Sequence, residues 1–350
     1  ANDINSCLFY CLLLPALSHF RQHFLRQMSA TKTTLTLSNG LEMPALGFGC
    51  AFGQWSDKTQ WMGFQPDLAW PVIPAALRAG FKHFDGALFY GTHKILGQTL
   101  GQSLATGSVK RSDFWITTKV AHPPNLIGLN SLGKSLNWSS EDLKGEVRKQ
   151  IEMSLDELCV GYVDLLLMHW PGQWGTTDEA ANRKLRKEIW EVFEEYYESG
   201  KVRAIGVSNY HKRHLETLLA DCKVKPMVNQ IEVSPYITQC ELVDYCNGNG
   251  IVVEAWGPLG SGATGVLSDP LLKSLTEKYK KNIGQVILRW LFQRGICSLP
   301  KSSNEDRMRS NLDIFDFEIS PEDMTSISNL NKDLSSSLGE EGVVPGADIA

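Results

Sequence analysis

Short apolar runs alternate along the chain with segments whose apolar positions recur every three to four residues. The runs Ala45–Phe48, Phe81–Asp85, Phe114–Lys119, Val163–Met168, Val202–Val207, Met227–Ile231, Ile251–Ala255 and Cys297–Pro300 have the length of buried strands. Between the third and fourth, Leu143, Val147, Ile151, Leu155 and Leu158 share one helical face, and Ser139 with Asp142 is placed as a capping box ahead of it. Pro74–Ala79, Glu188–Tyr197 and Ile283–Phe292 carry further helical segments, so each strand is followed by enough chain for a crossover helix. Ahead of the first strand, Thr33–Leu37 and Leu41–Pro44 flank Asn39-Gly40, which predicts a β-hairpin. The pattern predicts an α/β protein with a helix-covered parallel sheet. Closure into a (β/α)8 TIM barrel and an open doubly wound sheet give much the same local signal, so the choice passes to the motifs.

Composition narrows the function classes. A net charge of -5 over 350 residues argues against a nucleic-acid partner. The basic runs at 183–187 and 278–281 lie in helical segments and read as solvated faces. Eight cysteines without a Cys-x-x-Cys match neither a disulfide framework nor a zinc site, which fits a reducing compartment. His211 and His214 could share a helix face but have no third ligand type nearby in sequence, so no metal is expected. The apolar stretch at residues 6–17 is too short to span a bilayer. Residues 4–41 hold no acidic side chain but include Arg21, Arg26 and Lys32; residues 1–27 therefore read either as an organelle-targeting peptide or as sequence upstream of a start at Met28. The expected organisation is a leader or upstream segment over 1–29, one barrel over 30–335 and a tail over 336–350, in a monomeric, cytoplasmic protein.

Polar residues at the C-terminal ends of barrel strands converge on one mouth. There the sequence places Asp85 with Tyr90 five residues on, Lys119, and His169 followed by Trp170. Singly, each has an ordinary explanation as a cap, a solvated charge or a satisfied core residue. Together they form a phenol acid, a cation to depress its pKa, a carboxylate to hold the cation and an imidazole to orient a carbonyl. Gly47–Gly53 has the glycines of a dinucleotide fingerprint, but with one residue too many and no helix opening behind it, so it reads as a strand-to-loop turn.

The segments Gly80–Tyr90, Thr117-Thr118-Lys119, Leu167–Pro171, Gly206-Val207-Ser208-Asn209 and Leu299–Asn304 resemble, in order, the signatures of the aldo-keto reductases, and the resemblance spans about residues 33–335. It implies a (β/α)8 barrel that reduces a small-molecule aldehyde or ketone with NADPH. It also implies Tyr90 as general acid, Asp85 and Lys119 as its tuning pair, and His169 as the orienter of the carbonyl. Ser208, Asn209 and Gln230 would hold the nicotinamide amide and Trp256 would stack on its ring. Gly257, Leu259 and Ser261 belong to the loop offering N–H groups to the pyrophosphate. Lys301, Ser302, Ser303, Asn304 and Arg307 would form the 2'-phosphate pocket, with Asn311 at the adenine. Read without the resemblance, Ser208-Asn209 is equally the N-cap of a helix over His211–Ala220. A second function class, a redox-sensing or regulatory barrel with little turnover, keeps the same fold and cofactor.

Some features depart from the family. Gly91-Thr92-His93-Lys94 follows the tyrosine where Asn and Glu are common, which leaves the support of the tyrosine loop open. The loop after Trp256 has no acid before Asp269, so no carboxylate clasp over the cofactor is expected from it. The segments Ala51–Pro71, with Trp55, Trp61, Phe64 and Trp70, and Ala121–Ser140 could wall an apolar substrate pocket with Phe89 and Trp170, or pack onto the barrel. The tail carries no aromatic residue, and the particular carbonyl substrate stays open.

Overall fold

The computed structural model describes residues 33–55, 61–121, 142–172 and 178–335. A hairpin of β1 (Thr34–Thr36) and β2 (Glu42–Pro44) comes first, then β3 (Phe48–Gly49) and a second hairpin of β4 (Gly53–Trp55) and β5 (Trp61–Phe64). Then follow β6 (His83–Asp85), β7 (Trp115–Val120), β8 (Leu165–Met168), β9 (Ile205–Ser208), β10 (Val228–Glu232), β11 (Val252–Trp256) and β12 (Cys297–Ser298). The helices are α1 (Ala69–Ala79), α2 (His93–Ala105), α3 (Leu143–Leu158), α4 (Glu179–Glu198), α5 (Lys212–Asp221), α6 (Cys240–Gly248), α7 (Pro270–Tyr279), α8 (Ile283–Gln293), α9 (Glu305–Leu312) and α10 (Pro321–Ser328).

The sheet runs β3-β6-β7-β8-β9-β10-β11-β12 with every neighbouring pair parallel. A parallel bridge from Leu46 to Ser298 joins its two ends, reinforced by Gly47 N–H to the Ser298 carbonyl (2.9 Å) and Ser298 N–H to the Ala45 carbonyl (2.9 Å). The barrel predicted from sequence is therefore closed, and the open-sheet alternative falls.

Side-chain alternation sorts each strand into two faces. Ile116, Leu166, Met168, Ile205, Val207, Val253 and Ala255 pack outward against the helices. Trp115, Leu165, Leu167, Val228 and Cys297 form an inner cluster with Leu37 and Met43 of the first hairpin, which plugs the barrel's lower end. Positions two residues further along the inner face are polar: Lys119 above Trp115 and Thr117, His169 above Leu167, Gln230 above Val228. Apolar burial below anchors a polar layer above.

Sequence-predicted strands recur with their ends moved by at most three residues. Asp142 is itself the N-cap of α3 and accepts from Gly145 N–H (2.9 Å); Ser139, its expected partner, lies outside the described residues. So do residues 1–32, most of Ala121–Ser140 and the tail from 336. The N-cap of α5 is His211, with His214 Nδ1 accepting from its N–H (3.2 Å), so Ser208-Asn209 does not cap that helix. No helix among the described residues is long and apolar enough to cross a membrane.

Candidate active site

Asp85 closes β6, Lys119 is the penultimate residue of β7, and His169 follows β8, which puts all three at the upper rim on adjacent strands. Lys119 Nζ donates to Asp85 Oδ1 (2.6 Å), to the Gly86 carbonyl (3.0 Å) and to the Tyr90 hydroxyl (3.3 Å). All three ammonium donors are used. The Tyr90 hydroxyl also lies 3.4 Å from His169 Nε2. The four residues are buried, Lys119 at 1% exposure.

Burial alone would push the Lys119 ammonium down, but the Asp85 carboxylate and then Tyr90 outweigh it, and the net shift is upward. Lys119 thus stays charged despite its burial. For Tyr90, burial raises the phenol more than Lys119 lowers it, and Asp85 adds to the rise. The expectation that the cation brings the phenol below its ordinary value is corrected: desolvation wins.

The tyrosine loop is held from both sides by residues that sequence reasoning left unassigned. Tyr90 ends a single 3-10 turn (Leu88–Tyr90). Thr92 Oγ1 donates to the Cys50 carbonyl (3.1 Å), and the buried His93 ring meets Thr118 Oγ1 through Nε2 (3.0 Å). His93 fits because Gly86 has no side chain: a Cβ there would stand 3.2 Å from the imidazole. The Gly91–Lys94 departure is thus a different anchor, not a missing one.

At β9 to β11, Asn209 adopts a left-handed conformation (φ 62°) and clips neighbouring strands together. Its Nδ2 donates to the His169 carbonyl (3.0 Å) and Ser208 Oγ (3.1 Å), its Oδ1 accepts from Trp256 Nε1 (3.0 Å), and its N–H reaches the Gln230 carbonyl (2.9 Å). Ser208 Oγ donates to that same carbonyl (2.9 Å). Gln230 Nε2 bonds Asp85 Oδ1 (2.9 Å) and Glu254 Oε2 (2.5 Å), tying the amide row to the lysine–carboxylate pair.

After β11, Gly257, Gly260, Ser261 and Gly262 all have positive φ, and the Gly260 N–H closes the turn on the Gly257 carbonyl (2.9 Å). Asp269 is committed elsewhere: it caps α7 through Leu271 and Leu272 N–H and accepts from Tyr236 Oη (2.8 Å). Beyond β12, Asn304 caps α9, and Arg307 Nε donates to Ser302 Oγ (3.2 Å). Lys301 Nζ reaches the Ala51 carbonyl (2.7 Å), and Ser303 is exposed beside them. Asn311 and Leu259 come together at Gly284, where a Cβ would stand 3.4 Å and 3.9 Å from their side chains.

Aromatic rings line the approach to Tyr90. Trp170 stacks on His169 (5.1 Å, 13°), Phe89 meets His169 edge-on (6.4 Å), and Phe64 of the β4–β5 hairpin packs on Phe89 (5.2 Å) and Tyr90 (5.0 Å). Trp70 is exposed and takes neither of the two roles considered for this segment. Beneath the rim lies a buried cluster of His83, Glu254 and Cys297 that the motifs did not flag. The alternation of inward positions was the available signal: Glu254 sits two before Trp256, and His83 two before Asp85.

The profile of the aldo/keto reductase family matches residues 50–332. The glyoxal reductase of Bacillus subtilis is 38% identical over 305 residues, covering 87% of this chain and 95% of its own. Aldose reductase C of Dictyostelium discoideum is 33% identical over 330 residues, covering 90% and 94%. The crystal structure of a Bombyx mori aldo-keto reductase in complex with NADP superposes with a TM-score of 0.71 at 29% identity, covering 87% of this chain and 94% of that one.

Proposed function

Given that the chain belongs to the aldo/keto reductase family, we propose that it reduces an aldehyde or ketone to the alcohol with NADPH, Tyr90 supplying the proton. The observation carrying this reading is the Tyr90 hydroxyl set between the Lys119 ammonium at 3.3 Å and His169 Nε2 at 3.4 Å, at the mouth of a closed barrel.

The donor set suits the cofactor. Lys301, Ser302, Ser303 and Arg307, with the start of α9, offer cations and N–H groups suited to a 2'-phosphate. The 257–262 turn offers N–H groups for the pyrophosphate, and Ser208, Asn209 and Gln230 offer amide and hydroxyl groups for the nicotinamide, with Trp256 beside them. Bound there, the nicotinamide supplies a hydride. With no acid free in the loop after β11, no carboxylate clasp closes on it from that side, and cofactor release is expected to be fast. Slow NADPH release in stopped-flow would oppose this.

The protein's own groups handle the proton. A carbonyl oxygen placed between Tyr90 and His169 accepts hydrogen bonds as negative charge develops on it, and Tyr90 then gives up its proton. Lys119 stabilises the resulting phenolate, and Asp85 keeps Lys119 charged at 2.6 Å. Phe64, Phe89 and Trp170 exclude water from the same space and favour an apolar group on the substrate. Steady-state oxidation of NADPH and NADH across a carbonyl panel tests class, cofactor preference and substrate together. No turnover with any carbonyl would support the regulatory alternative instead.

A further inference from the structure

We propose that Glu254 and His83 share one proton as a neutral buried pair, and that this pair positions the Gln230 amide and, through it, Asp85. The kinetic part of this inference rests on the proposed function; the structural part does not.

Strand register sets the row. Glu254 on β11 lies opposite Gln230 on β10 and Cys297 on β12, all facing inward and at most 2% exposed. An amide nitrogen has two hydrogens, and Gln230 Nε2 spends them on Asp85 Oδ1 (2.9 Å) and Glu254 Oε2 (2.5 Å). The amide is thereby oriented with Oε1 as its only free function, an acceptor.

The second oxygen of Glu254 requires a proton. His83 Nδ1 faces the Pro44 carbonyl at 3.3 Å, and a carbonyl only accepts, so Nδ1 carries hydrogen. A neutral ring then presents a lone pair at Nε2, toward Thr117 Oγ1 (3.1 Å) and Glu254 Oε1 (3.3 Å). A carboxylate oxygen and an imidazole lone pair at that distance, both fully buried, repel unless a proton lies between them. Either an ion pair or a neutral carboxyl–imidazole pair satisfies the count. Desolvating two charges favours the neutral form. Burial, then Asp85, pushes Glu254 up to about 8 against weaker pulls from Gln230, Lys119 and Cys297, while burial pushes His83 down to about 4 against Asp85 and the Pro44 bond. The charges facing Glu254 are Asp85, which raises it, and Lys119, which lowers it by less; Cys297 beside it stays a thiol, raised by burial and by Glu254.

The same three side chains could suggest a metal site, but their geometry opposes it. Both ring nitrogens of His83 are already engaged within the protein, Nδ1 by the Pro44 carbonyl (3.3 Å) and Nε2 by Thr117 Oγ1 (3.1 Å) and Glu254 Oε1 (3.3 Å), which leaves no lone pair turned toward an ion.

Loss of the shared proton would put a second negative charge beside Asp85 and oppose formation of the Tyr90 phenolate. Glu254→Gln tests this: its carbonyl still accepts from Gln230 and its N–H can donate to His83, but it does not titrate. Reductase kcat of the unaltered protein is expected to fall about tenfold per pH unit above the Glu254 titration. In Glu254→Gln this limb should move to higher pH, with kcat near pH 6.5 and KM within about twofold of the unaltered protein. Glu254→Leu, which leaves the amide untied, should lose kcat at every pH. Independently of turnover, 15N chemical shifts of His83 should report a neutral ring protonated at Nδ1 at neutral pH. An imidazolium there, or an alkaline limb unchanged in Glu254→Gln, would overturn the proposal. A protein without turnover but with the neutral His83 ring would sink the proposed function and leave the pair standing.

Discussion

The rim of the barrel carries two charged regions built on opposite terms. Around Lys119, cation and carboxylate are buried and every ammonium hydrogen is spent within the protein. Around Arg307, the cations are exposed and stand on a loop and a short helix: Arg307 is held by Ser302, and Lys301 by the Ala51 carbonyl and the Phe52 ring. The first region has its geometry fixed before any ligand arrives and sits where charge interactions are strong. The second is wet, screened by salt and adjustable. Chemistry suits the first and recognition the second.

Tyr90→Phe should break the first region most sharply, lowering turnover by about 10³-fold or more while NADPH affinity, read by fluorescence titration, stays within a few fold. Undiminished turnover would remove the reaction from the buried region altogether. Lys119→Met leaves Asp85 a buried charge without its cation, and should cost about 3–5 kcal/mol in denaturant unfolding as well as activity. Arg307→Ala should weaken NADPH by roughly 10- to 100-fold and leave NADH unchanged, the gap narrowing as salt rises. Equal losses for both cofactors would erase the contrast between the regions.

Smaller effects sharpen the comparison. His93 is held down to about 3 by burial, then by Lys119, so the folded state binds fewer protons than the unfolded one between that value and the ordinary histidine range. Stability should therefore fall as pH drops from about 6.5 toward 3. His93→Asn should reduce that slope in urea midpoints, leaving the part due to His83, which burial holds down to about 4, whereas Arg307→Ala should not touch it. Phe64→Ala, which removes one ring from the wall over Tyr90, should change KM for an aromatic aldehyde by about tenfold or less.

What could be read from sequence divides along the same line. Asp85, Lys119 and His169 were legible because they stand at the C-terminal ends of predicted strands, where the side chains of a parallel barrel converge on one mouth. Gln230 came only from the resemblance; its tie to Glu254 follows from the β10–β11 register, and its tie to Asp85 crosses 145 residues of chain and depends on the barrel. The anchors at Thr92 and His93 were missed because their partners, the Cys50 carbonyl and Thr118, come from other strands. The direction of the Tyr90 shift was misjudged because sequence shows the neighbouring cation and not the depth of burial.

Asn209 sets a limit on how this protein can vary. Its φ of 62° is comfortable for glycine, asparagine and few other residues. Its side chain must at once give hydrogens to His169 and Ser208 and receive one from Trp256, which glycine cannot do and aspartate can do only in half. Backbone shape and side-chain chemistry each leave a short menu, and the menus overlap at a single residue. Random mutagenesis that retains reductase turnover should therefore return Asn209 unchanged, even while the exposed cations around Arg307 drift.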